Sequence, residues 1–133
     1  ILQAILEGTG YQLEAIRQEA QAIAGHRIDQ LIVVGGGTRN HRWLQIKAYI
    51  VNCSLEVPPI AEATMLGAAL AAGAGAGIYG SMKEAAEAVE RFDAQWVKPR
   101  KQQHLQYRTW YEEGFAVLQQ PLRDYFRGRR TKA

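Results

Sequence analysis

The stretch "LIVVGGGTRN", residues 31–40, runs four consecutive apolar β-formers into three glycines, then Thr, Arg and Asn. A short, wholly apolar run closed by breakers reads as a strand buried on both faces in a parallel sheet, here over residues 30–34. Two things call for so much bare backbone after such a strand. One is an anion, phosphate above all, because glycine amides at the carboxyl end of a parallel strand approach a ligand unobstructed by Cβ atoms. The other is a tight strand-to-helix turn that needs positive φ angles and binds nothing. The motif alone leaves both readings open. Neither G-x-G-x-x-G nor G-x-x-x-x-G-K-[ST] is present, which argues against a Rossmann dinucleotide site and a P-loop.

The flanking segments alternate in kind. Residues 2–24 place Leu2, Ile5, Leu6, Leu13, Ile16, Ala20 and Ile23 at helical spacings, predicting one long helix with one buried face. Gly8 and Gly10 interrupt it at about 1 kcal/mol each relative to Ala, which points to a close neighbour or a kink. From Thr38 to about Val51 the pattern is helical again, with Thr38 or Asn40 as N-cap. "SLEVPP" reads as a second short strand ended by two prolines. Residues 61–73 form a helix with Glu62 in its first turn and a small Ala/Gly/Leu face suited to lie against a sheet. Ser81 with Glu84 forms a capping box that opens a helix from Met82 to about Arg91. Pro99 opens a last helix carrying Leu105, Trp110, Phe115, Leu118 and Leu122.

At 133 residues the chain suits one domain, taken as residues 1–122 followed by a basic tail at 123–133. With 47% hydrophobic and 22% charged residues it has the make-up of a soluble globular domain, and no apolar run approaches the roughly 20 residues of a membrane span. A lone Cys53 excludes an internal disulfide, so the cytoplasm is the expected compartment. Much of the net charge of +3 lies in the tail "LRDYFRGRRTKA" rather than in a stripe interleaved with aromatics, so a nucleic-acid partner is not expected. The opening residues fall inside an apolar helical pattern with no cap, which reads as a piece of something longer.

His26, His41 and His104 are scattered without metal-ligand spacing, so no metal site is expected. No pair of carboxylates is spaced to act as acid and base, and Asp29, Asp93 and Asp124 read as loop or tail residues. Cys53 reads as a small buried hydrophobe rather than a nucleophile. No catalytic residue is assigned within this chain.

The order "ILEGTGYQL", "LIVVGGGTRNHRWLQIKAYI", "LEVPPIAEATMLGAALAAGAGAG", "SMKEAAEAV" resembles the C-terminal half of the FGGY family of carbohydrate kinases, the xylulokinase, glycerol kinase and fuculokinase group. The most specific parts are the glycine turn with Asn40, Trp43 and Gln45, and the run "EATMLGAA". The resemblance implies an α/β fold, part of an actin-like, ribonuclease-H-like ATPase domain, with helices packed on a short, mostly parallel sheet and a C-terminal helix. It implies that ATP with Mg²⁺ is bound and that the γ-phosphate passes to a hydroxyl of a sugar or polyol held mainly by another half. Carried over by motif, Gly36 and Gly37 approach the phosphates, Gly35 and Thr38 shape the turn, and Asn40 lies beside the adenosine. Trp43, Gln45 and Gly67 match the pattern but read as packing residues. Tyr49 stands where the family usually has Asp. The resemblance also places the catalytic base outside this chain, so the chain alone is expected to be inactive. A noncatalytic interaction or regulatory module on the same fold is the alternative. With an earlier meander of the sheet outside the chain, the Leu31 to Val34 edge is expected to be open to self-association.

Overall fold

The computed structural model describes residues 1–60, 62–89 and 93–130. Its framework is a helix pair on a small sheet. Helix α1 (Leu2–Ala24) leads to strand β1 (Gln30–Ile32), and a 3₁₀ turn (Gly36–Arg39) leads into helix α2 (His41–Val51) and strand β2 (Ser54–Val57). Helices α3 (Ala63–Gly75) and α4 (Met82–Glu87) come next, then strand β3 (Gln95–Val97). Helix α5 (Lys101–Trp110), a π-helical turn (Tyr111–Phe115) and helix α6 (Ala116–Arg130) complete the chain.

The sheet order is β1-β2-β3, with β1 parallel to β2 and β2 antiparallel to β3. The sheet is therefore mixed, and only one of its two pairings meets the expectation of a mostly parallel arrangement. The sequence reading had no place for β3, because "QWV" is too short to show alternation and its Trp96 faces outward.

Helix α2 crosses the sheet and supplies the centre of the core. Leu44, Ala48 and Val51 meet Cys53 and Leu55, with Leu13, Leu31, Val33, Val57 and Val97 around them. Strand β1 is thus covered on one face only: Ile32 and Val34 point away from α2 and are about half exposed, at 52% and 48%. The expected burial on both faces fails because α3, the helix expected on the sheet, packs mainly on α4 instead.

Helix α1 lies on α2, and Gly10 explains how closely. A Cβ built there would come within 2.5 Å of Ile50 Cδ1, whereas at Gly8 it would meet nothing within 4 Å. The buried side of α1 holds Gly10 and Glu14, and of the stripe read from periodicity Leu6 and Leu13 pack on the core while Leu2, Ile5, Ile16 and Ile23 are exposed. Glu14 is tolerated inside because Arg17 donates to both its carboxylate oxygens at 2.7 and 2.8 Å and Gln18 donates at 2.9 Å.

An aromatic cluster holds the C-terminal helices to this pair. Tyr11 lies 5.3 Å from Phe115 and 6.4 Å from Tyr107, ring centre to ring centre, and Tyr49 stacks on Tyr107 at 6.3 Å. Tyr49, the departure from the family pattern, is therefore spent on packing, and its carbonyl lies 2.9 Å from His104 Nδ1.

The capping box forms, with Ser81 Oγ accepting from the Glu84 amide at 3.1 Å, while the Glu84 carboxylate accepts from the Gly80 amide at 2.7 Å. Helix α4 ends at Glu87, and residues 90 and 91 of the longer helix expected there lie outside the described residues. Helix α6 runs to Arg130 without a break in secondary structure at residue 122.

Candidate functional site

The glycines follow β1 at its carboxyl end. The last ladder bond, from the Val33 amide to the Glu56 carbonyl at 2.8 Å, precedes Gly35, whose φ of +96° lies in a region that L side chains rarely adopt. The chain then coils into the 3₁₀ turn. The Thr38 amide bonds the Gly35 carbonyl at 3.1 Å, and the Thr38 hydroxyl donates to the same carbonyl at 2.8 Å. That hydroxyl braces the turn.

The three glycines differ in role. A Cβ on Gly36 would meet nothing within 4 Å, so its face is open. A Cβ on Gly37 would lie 2.6 Å from Trp43 Cζ3, so that glycine admits an indole. Trp43 is itself held from α1, its Nε1 donating to Thr9 Oγ1 at 2.8 Å. Asn40 is the α2 N-cap, its Oδ1 accepting from the Trp43 amide at 3.1 Å. The α-helix starts at His41 rather than near Thr38, because the 3₁₀ turn intervenes.

A cavity of about 520 Å³ opens beside the turn. It is lined by Gly35, Gly36, Thr38 and Arg39 on one side and by Glu62 and Thr64 from the start of α3 on the other, with Val34, Ile60 and Ala63 also on its wall. Of the five residues expected from sequence, Gly35, Gly36 and Thr38 line it; Gly37 faces Trp43 and Asn40 caps α2. Arg39 and Thr64 were missed and Glu62 was read only as a helix-terminal charge. A second cavity, about 350 Å³, shares Thr38 and Arg39 and reaches His41 and Gln95. The amides of Gly36 and Gly37 have no hydrogen-bond partner among the described residues. Free amides, a guanidinium and a small volume suit an anionic group.

The residues set aside from sequence are accounted for. Gln45 Nε2 donates to the Lys98 carbonyl at 3.0 Å and ties α2 to the end of β3. Gly67 is exposed with nothing within 4 Å, so no packing role is visible for it among the described residues. The Cys53 thiol is buried, bonded to the Ile28 carbonyl at 3.1 Å, and pushed up in pKa by that burial, which favours the thiol over the thiolate. Among the described residues no group of His, Cys, Asp or Glu is arranged to hold a metal ion, and no helix is long and apolar enough to cross a membrane.

A glycine turn at the carboxyl end of a parallel strand, leading into a helix laid on the sheet, defines an α/β domain with a ligand-type turn at its strand end. The chain belongs to the FGGY family of carbohydrate kinases: the family's C-terminal domain matches residues 1–76. Among similar proteins, an autoinducer-2 kinase of Salmonella paratyphi B (strain ATCC BAA-1250 / SPB7) is 36% identical over 102 residues, which is 77% of this chain and 19% of the relative. An L-fuculokinase of Escherichia coli (strain K12) is 36% identical over 111 residues, 84% of this chain and 21% of the relative. The chain thus spans about a fifth of the length of these curated relatives. The crystal structure of Plasmodium falciparum glycerol kinase with ADP superposes with a TM-score of 0.65 and 25% identity, covering 88% of this chain and 24% of that one. That neighbour implies an actin-like ATPase fold, of which the mixed three-stranded sheet and its helices are a part.

Proposed function

We propose that this chain is the nucleotide-binding part of an ATP-dependent carbohydrate kinase, which transfers the γ-phosphate of ATP to a hydroxyl of a sugar or polyol. The observation that carries the reading is the Gly36 face: its amide is unpaired, its Cβ position is open, and it borders a cavity large enough for part of a nucleotide. In this reading the Gly36 and Gly37 amides hold phosphate oxygens, while Gly35 and Thr38 hold the turn in shape. Asn40, whose Oδ1 caps α2, offers its remaining amide N–H groups toward the nucleoside.

The donor set fits a magnesium nucleotide. Glu62 is the one carboxylate on the cavity among the described residues, and one carboxylate with phosphate oxygens and water is an ordinary environment for Mg²⁺. When bound, the ion neutralises phosphate charge. The chain's own contribution to phosphoryl transfer is positioning and electrostatic stabilisation. The base that takes the hydroxyl proton and most contacts to the sugar belong to another part of the parent kinase, and the compartment is the cytoplasm.

Calorimetric titration of the chain with ADP tests this. Binding should be weak, in the high micromolar range or above, because only part of the cleft is present and each tenfold in affinity is about 1.4 kcal/mol. Gly36→Val should abolish it while leaving the circular dichroism spectrum intact. Unchanged ADP binding in a folded Gly36→Val variant sinks the assignment. Absence of nucleotide binding in the unsubstituted chain would favour the noncatalytic module instead.

A further inference from the structure

Arg39 ends the 3₁₀ turn, three residues after Gly36. In a 3₁₀ helix residues i and i+3 eclipse, so the Arg39 side chain rises on the same side of the turn as the bare face of Gly36. It lines both cavities that flank the turn. Arg17, Lys83 and Arg108 are held in ion pairs with Glu14, Glu87 and Glu112, whereas Arg39 is exposed and makes no ion pair or side-chain hydrogen bond among the described residues. Glu62 on one of these cavities and Asp93 on the other are not within ion-pairing distance of it. A guanidinium without a partner among the described residues thus lines the same cavity as Gly36, in a turn whose Gly36 and Gly37 amides are also unpaired.

We propose that Arg39 is a phosphate-binding residue of this site, its guanidinium closing over a phosphate of the nucleotide whose other oxygens the Gly36 and Gly37 amides hold. The inference rests on the nucleotide reading above and adds to it a side chain that the glycine motif did not point to. The planar fork matches two phosphate oxygens at once, which a lysine ammonium cannot do, so the position should distinguish Arg from Lys. Arginine also stacks on nucleobases, and that contact would leave a different pattern of losses.

The test compares the unsubstituted chain with Arg39→Ala, Arg39→Lys and Gly36→Val in titrations with ADP, pyrophosphate and adenosine. Arg39 is exposed, so neither of its substitutions should disturb folding, and circular dichroism checks that. Arg39→Ala should weaken ADP and pyrophosphate about tenfold, the 1.4 kcal/mol of one charged contact, and leave adenosine unchanged. Arg39→Lys should recover part of the loss, and the salt dependence of ADP binding should become shallower in Arg39→Ala. Equal ADP affinity in the unsubstituted chain and Arg39→Ala, with Gly36→Val inactive in binding, overturns the assignment alone. A loss shared equally by adenosine overturns it in favour of base stacking. No ADP binding by the unsubstituted chain removes the nucleotide reading and this assignment together.

Discussion

Two neighbouring glycines in one turn should respond in opposite ways to the same substitution. In Gly37→Ala the new Cβ would lie 2.6 Å from Trp43 Cζ3 and 3.3 Å from Cε3. Carbon atoms settle at about 3.5–4.0 Å, so the indole must retreat by roughly 1 Å. It is not free to do so: its Nε1 is bonded to Thr9 Oγ1 at 2.8 Å, Lys47 Nζ sits 3.6 Å from the ring centre, and its amide is capped by Asn40. Overpacking of this kind costs about 1–3 kcal/mol, and a strained Trp43–Thr9 bond adds about 1, giving about 2–4 kcal/mol of destabilisation. In Gly36→Ala the methyl group meets nothing, and φ lies outside the left-handed region, so reduced freedom of the unfolded chain should stabilise by about 0.4–1 kcal/mol. Urea unfolding followed by far-ultraviolet circular dichroism should place the two variants on opposite sides of the unsubstituted chain, about 3 kcal/mol apart. Coincident midpoints, or Gly36→Ala as the weaker variant, would refute the division of labour within the turn.

Alkaline pH should unfold the chain through its tyrosines. The Tyr11 hydroxyl is pushed up to about 12 by burial and then by the Glu7 charge, and Tyr107 is raised by burial and by its bond to Glu7 at 3.0 Å. Unfolded tyrosines ionise near 10, so the stability held by the neutral rings is complete below about pH 10 and is lost as pH rises through about 12. Ionisation of Tyr11 itself at about pH 10, followed in its own ring resonances and with no loss of fold, would contradict this. The open edge of β1, with exposed Ile32 and Val34 beside it, should make the chain self-associate. Ile32→Lys should reduce that association in light scattering, and a monodisperse monomer at high concentration would remove the idea. Finally, sugar-dependent ADP release by this chain alone should be undetectable, and a measurable rate would require a base among its own acids.

Periodicity and punctuation made the elements legible where each side chain's surroundings are local. The capping box at Ser81 and Glu84, the prolines that end β2 and the glycines that end β1 all act within a few residues, and all were readable. What the chain did not disclose depends on partners distant in sequence. Helix α1 carries apolar residues on more than one side, and the buried side is chosen by Ile50 against Gly10 and by Tyr11 meeting Phe115, contacts that no periodicity encodes. The destination of α3 was misjudged because small residues suit a sheet and a helix equally well. Of the candidate site, the glycine turn was visible because its backbone needs are written in composition. Arg39 was not, because an exposed arginine looks the same whether it faces water or a ligand, and only the fold puts it on the same cavity as Gly36.

The tether between Trp43 and Thr9 also bears on motion. Thr9 adjoins Gly10, where α1 is fastened to α2, and the indole it holds is the wall behind Gly37. The glycine turn, which by composition should be the slackest part of the molecule, is thereby braced from a helix 34 residues away. Its stiffness is borrowed, so loosening the α1–α2 seam, even by a change at Gly10 or Ile50 far from any ligand, should let the turn drift and register as faster amide exchange at residues 35–40.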